Sequence, residues 1–516
     1  NVDRDDPQAT FERGDKAIAA FRDAPGKTDE GRLRQVLWGD LAPAIESTPA
    51  WTPFDAGLDL SQMEATDTAL RAREIALVHG PPGTGKTRTL VEIARQLAAR
   101  GETVLACAMS NVAVDNLAER LTDAGVEVVR LGHPARVAPA VEARSLDRLI
   151  EHTEGYQLAR SWMADARQLR HKIEAKRARG TLGRDERLEM HREARRLEGD
   201  ARAQLRRAQA SILEHSQVVL STAAGADADL LAKRRFDVLL LDEATQAPDP
   251  VALVAMQRAA KVVMAGDPEQ LPPTVLDQEA ERAGLGRTIF ERMAKRWPLT
   301  VRMLNVQYRM HADLMAFPSA SRYQGKLEAH PSVAAHRLEE LPGVAADPLR
   351  DAPLVLIDTA GKGWDDAQEQ PGGSSYNDGQ AARTEAEVRR LLGRGLAPTD
   401  LAVITPYDAQ RRRLVDALAD AVAEGLEIGT VDGFQGREKE AIVVDLVRSN
   451  APGDVGFVSD RRRLNVALTR ARRFLMVIAD TATLGRHADF AAFLEVVEAR
   501  GAWISAWTDD APPFDA

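Results

Sequence analysis

The chain has 516 residues, 44% hydrophobic and 28% charged, with a formal net charge of -10 and one cysteine. That length exceeds one core, so two large domains with insertions are expected. A lone cysteine, Cys107, excludes an internal disulfide framework or a Cys-based zinc site. The acidic balance argues against binding nucleic acid by global charge, while leaving room for a local basic channel.

Residues 1 to about 50 read as polar, charged helix, and Leu58 to Arg73 as a second, amphipathic helix. "EIALVHGPPGTGKTRTLVEIARQLAARG" then reads as strand, Gly-rich loop and helix, and "TVLACAMSNVAVDNLAERLTDAG" repeats the pattern before the strand "VEVVRLG". Such alternation predicts a parallel sheet covered by helices. Residues 145 to about 215 break the rhythm. They are long, charged and poor in turn signals except near Gly180 and Gly183, which predicts two antiparallel helices inserted into the first domain. Strands resume with "QVVLSTAAGA", "FDVLLLDEATQA" and "KVVMAGDPEQLPPTV". From about Pro298 a second series follows: "PLVLIDTAG", "DLAVITPYDAQ", "EIGTVDGFQGREKEAIVVDLVRSN" and "FLMVIAD". The polar stretch "GKGWDDAQEQPGGSSYNDGQ" reads as a surface loop. The expected architecture is therefore α/β, two tandem units of parallel sheet flanked by helices, spanning 58–297 and 298–516. No apolar run reaches membrane-spanning length and no leader pattern is evident, so a cytoplasmic protein is expected, with a bacterial-like composition.

The strongest chemical signal is "GPPGTGKT", Gly80 to Thr87, between a strand and a helix. Glycines let backbone N–H groups wrap phosphates at a helix N-terminus. Lys86 is placed for the β/γ-phosphates and the Thr87 hydroxyl for Mg2+, with Gly83, Thr84, Gly85 and Arg88 completing the phosphate cradle of ATP. In "VLLLDEATQ" an apolar strand ends on two carboxylates. Asp242 suits the metal and Glu243 suits orienting and deprotonating a water, which points to hydrolysis. In "AGDPEQLPP", Gln270 after a strand suits sensing the γ-phosphate in a stiff loop. Finally "RRRLNVALTRARR" puts six arginines in thirteen positions. At helical pitch Leu464, Ala467, Leu468 and Ala471 form a stripe with Arg463 and Arg470 along one edge, so one helix through these residues is expected.

Taken in order, Gln62 in "LDLSQMEA", then "GPPGTGKT", "SNVAVDNL", "DEATQA", "GDPEQLPP", "VQYRMH", "VDGFQGREKEAIVV" and "LNVALTRAR" resemble the motifs of superfamily 1 helicases. The branch is that of the nonsense-mediated-decay RNA helicase and the immunoglobulin mu-binding protein helicase; "RLGHPARV" and "ELPGVA" are similar to the latter. The resemblance runs from about residue 30 to 495. It implies two RecA-like domains, with residues 1–57 as a stalk segment and any β-barrel lying upstream of Asn1. It implies that Gln62 reads the adenine edge, Tyr308 stacks near the base, and Arg309 reaches the γ-phosphate. Gly436 and Glu438 are implied to meet phosphate and ribose, and Arg470 to be an arginine finger; Arg463 and Arg473 are better placed in structural roles. It implies nucleic-acid contacts at Ser110, Asn111 and Thr222, and at Thr405, Pro406, Tyr407 and Thr430. Relatives carry Asn-x-x-Glu where this chain has Asn377 to Gln380, so no carboxylate contact is expected there. The implied activity is a monomeric ATP-dependent helicase or translocase, of the anhydride-hydrolase class, moving 5′ to 3′ on single-stranded DNA or RNA. The alternative is an ATP-switched clamp or ribonucleoprotein-remodelling ATPase that unwinds little.

Overall fold

A computed structural model describes residues 7–507, apart from 233, 276, 349, 351 and 371. Residues 1–6 and 508–516, the ends of the expected first and last segments, lie outside the described residues. The chain divides into two compact units. One comprises Asn1–Val78, Thr87–Gly266 and Pro273–Arg302; the other comprises His79–Lys86, Asp267–Pro272 and Met303–Ala516.

The first unit is built on β1 (Ile75–His79), β2 (Val104–Ala108), β3 (Val128–Arg130), β4 (Val218–Thr222), β5 (Phe236–Leu241), β6 (Ala259–Gly266) and β7 (Val301–Met303), in the order β3-β4-β2-β5-β6-β1-β7. The ladders β3–β4, β4–β2, β2–β5 and β5–β6 are parallel. Every residue of β2 and the last four of β5 are buried, as a sheet covered on both faces requires. Helices α1 (Pro7–Asp23) and α2 (Asp29–Trp38) belong to this unit and give Ala17, Phe21, Leu33 and Val36 to its core. α3 (Leu60–Arg71) precedes β1, α4 (Lys86–Ala99) follows the Gly-rich loop, and α5 (Asn111–Asp123) follows β2.

Between β3 and β4 the chain makes α6 (Leu146–Glu151) and then the inserted hairpin, α7 (Glu154–Ala178) and α8 (Arg184–His215). Few of its side chains are buried. Ala159, Ala166 and Ile173 lie seven apart on α7, and Ala194 and Ala201 seven apart on α8. That spacing is a narrow seam of small residues between two charged helices. Arg170 grips Glu198 across it through two hydrogen bonds of 2.8 and 2.9 Å.

The second unit is built on β8 (Leu354–Asp358), β9 (Leu401–Thr405), β10 (Glu427–Thr430), β11 (Lys439–Asp445), β12 (Ala471–Ala479) and β13 (Ala502–Ser505), in the order β10-β9-β11-β12-β8-β13, and its ladders are all parallel. Strand periodicity decides which face each residue serves. Leu354, Leu356, Ala402, Ile404, Ile442, Val444, Leu475 and Val477 enter one core, while Val355, Ile357, Leu401, Val403, Ala441, Val443, Phe474 and Met476 enter the other. Within the expected surface loop, Ala367–Gln368 and Ser375–Tyr376 form a short antiparallel ladder. Asn377 caps α11, as we number Asp378–Gly393, following α10 (Ala312–Arg322). Gln380 is fully buried with its amide 3.3 Å from the Thr359 hydroxyl.

One expectation is corrected. The arginine-rich segment is not a single helix. After α12 (Asp408–Ala417), helix α13 (Arg461–Leu468) ends at Thr469, and Ala471 already belongs to β12. Two interactions stop the helix: the Thr469 hydroxyl donates back to Asn465 O at 2.7 Å, and Lys439 N–H takes Arg470 O at 3.1 Å. Pairing with β11 then holds the following residues extended.

Asp445, at the end of β11, is fully buried and accepts from Gln410 Nε2 (2.6 Å), the Thr384 hydroxyl (3.1 Å) and Val447 N–H (3.1 Å). Burial outweighs these donors and pushes its carboxyl up to about 6. Because the folded pKa lies above the ordinary 3.8, this group favours folding most below that value. The contribution is lost as pH rises through about 6, a difference of about 3 kcal/mol. Chemical denaturation from pH 4 to 7.5 should therefore show wild type losing stability relative to Asp445→Asn across that window.

Candidate nucleotide and nucleic-acid sites

In the first unit, Thr87 stands in the first turn of α4, and its hydroxyl donates to Asp242 Oδ2 at 3.4 Å. Asp242 follows β5 and is fixed by its N–H to Cys107 O (2.8 Å). The thiol of Cys107 itself is buried, and burial pushes its pKa up to about 12, so it is inert. Glu243 has φ +50° and ψ +40°, the left-handed region that a side chain with Cβ seldom adopts. The turn holds it there: its N–H donates to Asp242 Oδ1 (2.8 Å) and its Oε2 accepts from Gln246 (3.0 Å). Gly266 lets this turn approach, since a Cβ there would lie 3.0 Å from Thr245 N. Gln62 is fully buried and its Oε1 accepts from Asp59 N–H at 3.2 Å in the capping box of α3. Arg88 is engaged by Asp55 at 2.6 and 2.8 Å, which draws the Asp55 carboxyl below its usual range.

In the second unit, Gly83 and Gly85 have φ +77° and +79°. A Cβ at Gly80 would lie 2.0 Å from Lys86 Cγ, and one at Gly83 2.6 Å from Arg309 Cβ, so the loop is closed to larger residues. Lys86 Nζ donates to Gly80 O (2.9 Å), and the Thr84 hydroxyl to Pro81 O (2.8 Å). Tyr308 N–H donates to Gly83 O at 2.8 Å and its ring lies 4.6 Å from that of His330. Arg309 pairs with Glu438 and donates to Thr469 O at 3.1 Å. Gly436 has φ +79° with open space where a Cβ would be.

Arg470 is 1% exposed. Its Nε donates to Val466 O (3.0 Å), closing α13, and its Nη2 to Gln270 Oε1 (3.3 Å) and Thr469 Oγ1 (3.1 Å). Gln270 in turn donates to Asp267 Oδ2 at 2.8 Å. Four other arginines of the segment sit in ion pairs: Arg461 with Glu269 at 3.3 Å, Arg463 with Asp460 at 3.3 Å, Arg472 with Glu440 at 2.9 Å, and Arg473 with Glu440 at 2.8 Å and Glu340 at 2.9 Å.

Sequence reasoning missed the residues that hold this arrangement. Gln307 is fully buried and its Oε1 accepts from Arg309 N–H (2.8 Å) and Met310 N–H (2.7 Å), shaping the turn that carries Tyr308 and Arg309. Asp267 accepts from the Tyr323 hydroxyl (2.8 Å) and meets His79 Nε2 at 3.2 Å, and the Asn465 amide donates to Tyr323 Oη (2.9 Å) and Glu269 O (2.8 Å). Burial alone would raise Asp267, but the hydrogen bond and charge of His79, the Lys86 charge and the Gln270 amide outweigh it and hold it below the usual carboxylate range. Burial and the Asp267 charge push the Tyr323 phenol well up, so it remains a donor. Tyr323→Phe should cost roughly 1–3 kcal/mol, read as a lower denaturation midpoint, because it removes a hydrogen bond to a buried carboxylate, whose Oδ2 keeps the Gln270 donor. The only sequence signal was an Asp beside Gln270 in "GDPEQ".

The expected nucleic-acid residues occupy C-terminal strand ends, where open α/β sheets bind ligands. Ser110 caps α5, accepting from Ala113 N–H (3.2 Å), and Asn111 Oδ1 accepts from Arg130 (2.8 Å). Thr222 ends β4 and accepts from Gly225 N–H at 3.1 Å. In the second unit Thr405 ends β9, fully buried, and buried Pro406 follows. Tyr407 Oη accepts from Phe457 N–H at 3.1 Å, and Thr430 at the end of β10 accepts from Gly433 N–H at 3.3 Å. Gly436, Glu438 and Arg470 lie at the opposite, N-terminal ends of β11 and β12.

Two models described as "AAA domain" match residues 57–278 and 285–482. The chain is 39% identical over 484 residues to the DNA-binding protein SMUBP-2 of Rattus norvegicus, covering 93% of this chain and 48% of the relative. It is 36% identical over 465 residues to an uncharacterized ATP-dependent helicase of Methanocaldococcus jannaschii, covering 83% and 68%. It is 35% identical over 443 residues to the regulator of nonsense transcripts 1 homolog of Neurospora crassa, covering 83% and 38%. The chain thus spans about half the length of the first of these relatives. No helix among the described residues is long and apolar enough to cross a membrane. With its ordered motifs and this extent of identity, the chain belongs to the superfamily 1 helicases, in the branch of the nonsense-mediated-decay and immunoglobulin mu-binding protein helicases.

Proposed function

We propose that the chain is an ATP-driven motor that moves 5′ to 3′ along single-stranded DNA or RNA and separates the duplex it meets. The observation that carries this reading is the segregation of residues in the second unit. Those suited to phosphate, Gly436, Glu438 and Arg470, stand at the N-terminal ends of its strands, and those suited to a nucleic-acid backbone, Thr405, Pro406, Tyr407 and Thr430, at the C-terminal ends. A rigid sheet with different ligands at its two ends can couple the two sites mechanically.

In this reading Lys86 and the N–H groups of Gly83 to Thr87 hold the ATP phosphates, aided by Arg88, while Gln62 and Tyr308 take the adenine. The Thr87 hydroxyl and the Asp242 carboxylate, 3.4 Å apart at the loop's end, fit a Mg2+ ion. Bound there, the metal supplies charge neutralisation for the phosphates. Glu243 Oε2 is occupied by Gln246, which leaves Oε1 to orient a water and take its proton. Gln270 reports the γ-phosphate, and the guanidinium groups of Arg309 and Arg470 meet the charge spread over its oxygens. The name of the rat relative supports DNA as one substrate. A monomeric motor acting in the cytoplasm is part of the same proposal.

A strand-displacement assay tests it. Duplexes with a 5′ single-stranded overhang should be unwound with ATP, and those with a 3′ overhang should not. Nucleic-acid-stimulated hydrolysis without displacement on either substrate would instead favour an ATP-switched clamp.

A further inference from the structure

Asn111 does not stand alone at the C-terminal edge of the first sheet. It opens α5, and its Oδ1 accepts from Arg130 Nη2 at 2.8 Å. Arg130 ends β3 and is 0% exposed. Its Nε donates to Asp115 Oδ1 at 2.7 Å and its Nη1 donates to Leu131 O. Asp115 lies one turn after Asn111 on α5, and its Oδ2 accepts from Ala138 N–H at 2.8 Å. The ion pair therefore joins three things: the strand end, the first turn of α5, and the loop 131–138. Gly132 makes room for it, since a Cβ there would lie 2.9 Å from Arg130 Nη1.

We infer that Arg130 is a positioning residue that fixes the direction of the Asn111 amide. A carboxamide has an acceptor end and a donor end. With Oδ1 held by a buried guanidinium, the Nδ2 hydrogens are the end left for a ligand. The ligand atom they fit is an acceptor, a phosphodiester oxygen of a single strand. The charge of Arg130 itself stays out of the contact, because the side chain is enclosed and its Nε, Nη1 and Nη2 each already donate, to Asp115, Leu131 O and Asn111 in turn. Lysine has one nitrogen and cannot reproduce the fork that reaches Asp115 and Asn111 together. This inference rests on the proposed nucleic-acid reading of the Asn111 edge.

The test is a double-mutant cycle on the full chain, with fluorescent oligothymidylate and oligouridylate of equal length titrated at several salt concentrations. Arg130→Lys and Asn111→Ala should each weaken binding about tenfold, and the double variant should bind no worse than either alone. The dependence of log Kd on log salt should keep its slope in every variant, since a neutral amide releases no counterion. If Arg130→Lys does not fold, Asp115→Asn takes its place, and the same non-additivity is expected. Additive losses would overturn the inference and leave Arg130 a scaffold residue. A slope reduced by about one in the neutral variant Arg130→Gln would overturn it by showing that the guanidinium touches phosphate directly. Wild-type protein that binds neither oligonucleotide would overturn the nucleic-acid reading, and this inference with it.

Discussion

Arg470→Ala is expected to leave ATP binding largely intact and to slow hydrolysis roughly 10³-fold or more, the range of an arginine finger. The side chain sits at the N-terminal end of β12, 1% exposed, with its donors on Val466 O, Thr469 Oγ1 and Gln270 Oε1. These partners are neutral oxygens. They orient the fork, which suits a phosphate whose charge grows in the transition state. The link to Gln270 also ties the arginine to the loop expected to sense the γ-phosphate. Because Arg470 closes α13, its loss will also lower stability, so melting has to be measured beside turnover. Arg470→Lys separates the two effects. It keeps the charge and loses the fork, and hydrolysis should stay low while the melting temperature partly recovers. Near-normal turnover in Arg470→Ala would make this residue a helix cap and nothing more.

Lys86→Ala is expected to abolish nucleotide-dependent activity altogether, read both as ATPase rate and as loss of nucleotide-induced stabilisation. The lysine opens α4, and its ammonium rests on Gly80 O across the loop that Gly83 and Gly85 bend through positive φ. A point charge at the mouth of a helix N-terminus serves the β/γ-phosphates. A Cβ at Gly80 would collide with the Lys86 side chain, so glycine there keeps that side chain's path open. Retained turnover in Lys86→Ala would reject the loop as the nucleotide site.

The parts of the molecule written locally in the chain were legible in its sequence. Strands such as "VLACA" are apolar on both faces because both faces are covered, and the phosphate loop is a short-range pattern of glycines between strand and helix. The inserted hairpin was legible from its charge and its single Gly-containing turn. What escaped were pairings set by long-range topology. Arg470 looked helical because Leu464, Ala467, Leu468 and Ala471 keep helical spacing, yet β11 claims Ala471 onward as a strand. Tyr323, Asn465 and Asp267 come together from segments with no common pattern, and each taken alone reads as a core or loop residue. Arg130 reads as one more strand-end arginine until the fold brings Asp115 and Asn111 to it. Local periodicity carries elements, while buried polar networks depend on which elements become neighbours.

The proposed motor couples ATP hydrolysis to a single nucleic-acid strand. The most direct measurement is steady-state ATPase rate against concentration of single-stranded DNA and RNA of equal length, at fixed salt and with excess magnesium. A coupled motor should show a low basal rate that rises saturably with at least one of the two, and the rise should disappear in Lys86→Ala. A rate indifferent to both polymers would contradict it and mark the chain as an ordinary P-loop ATPase.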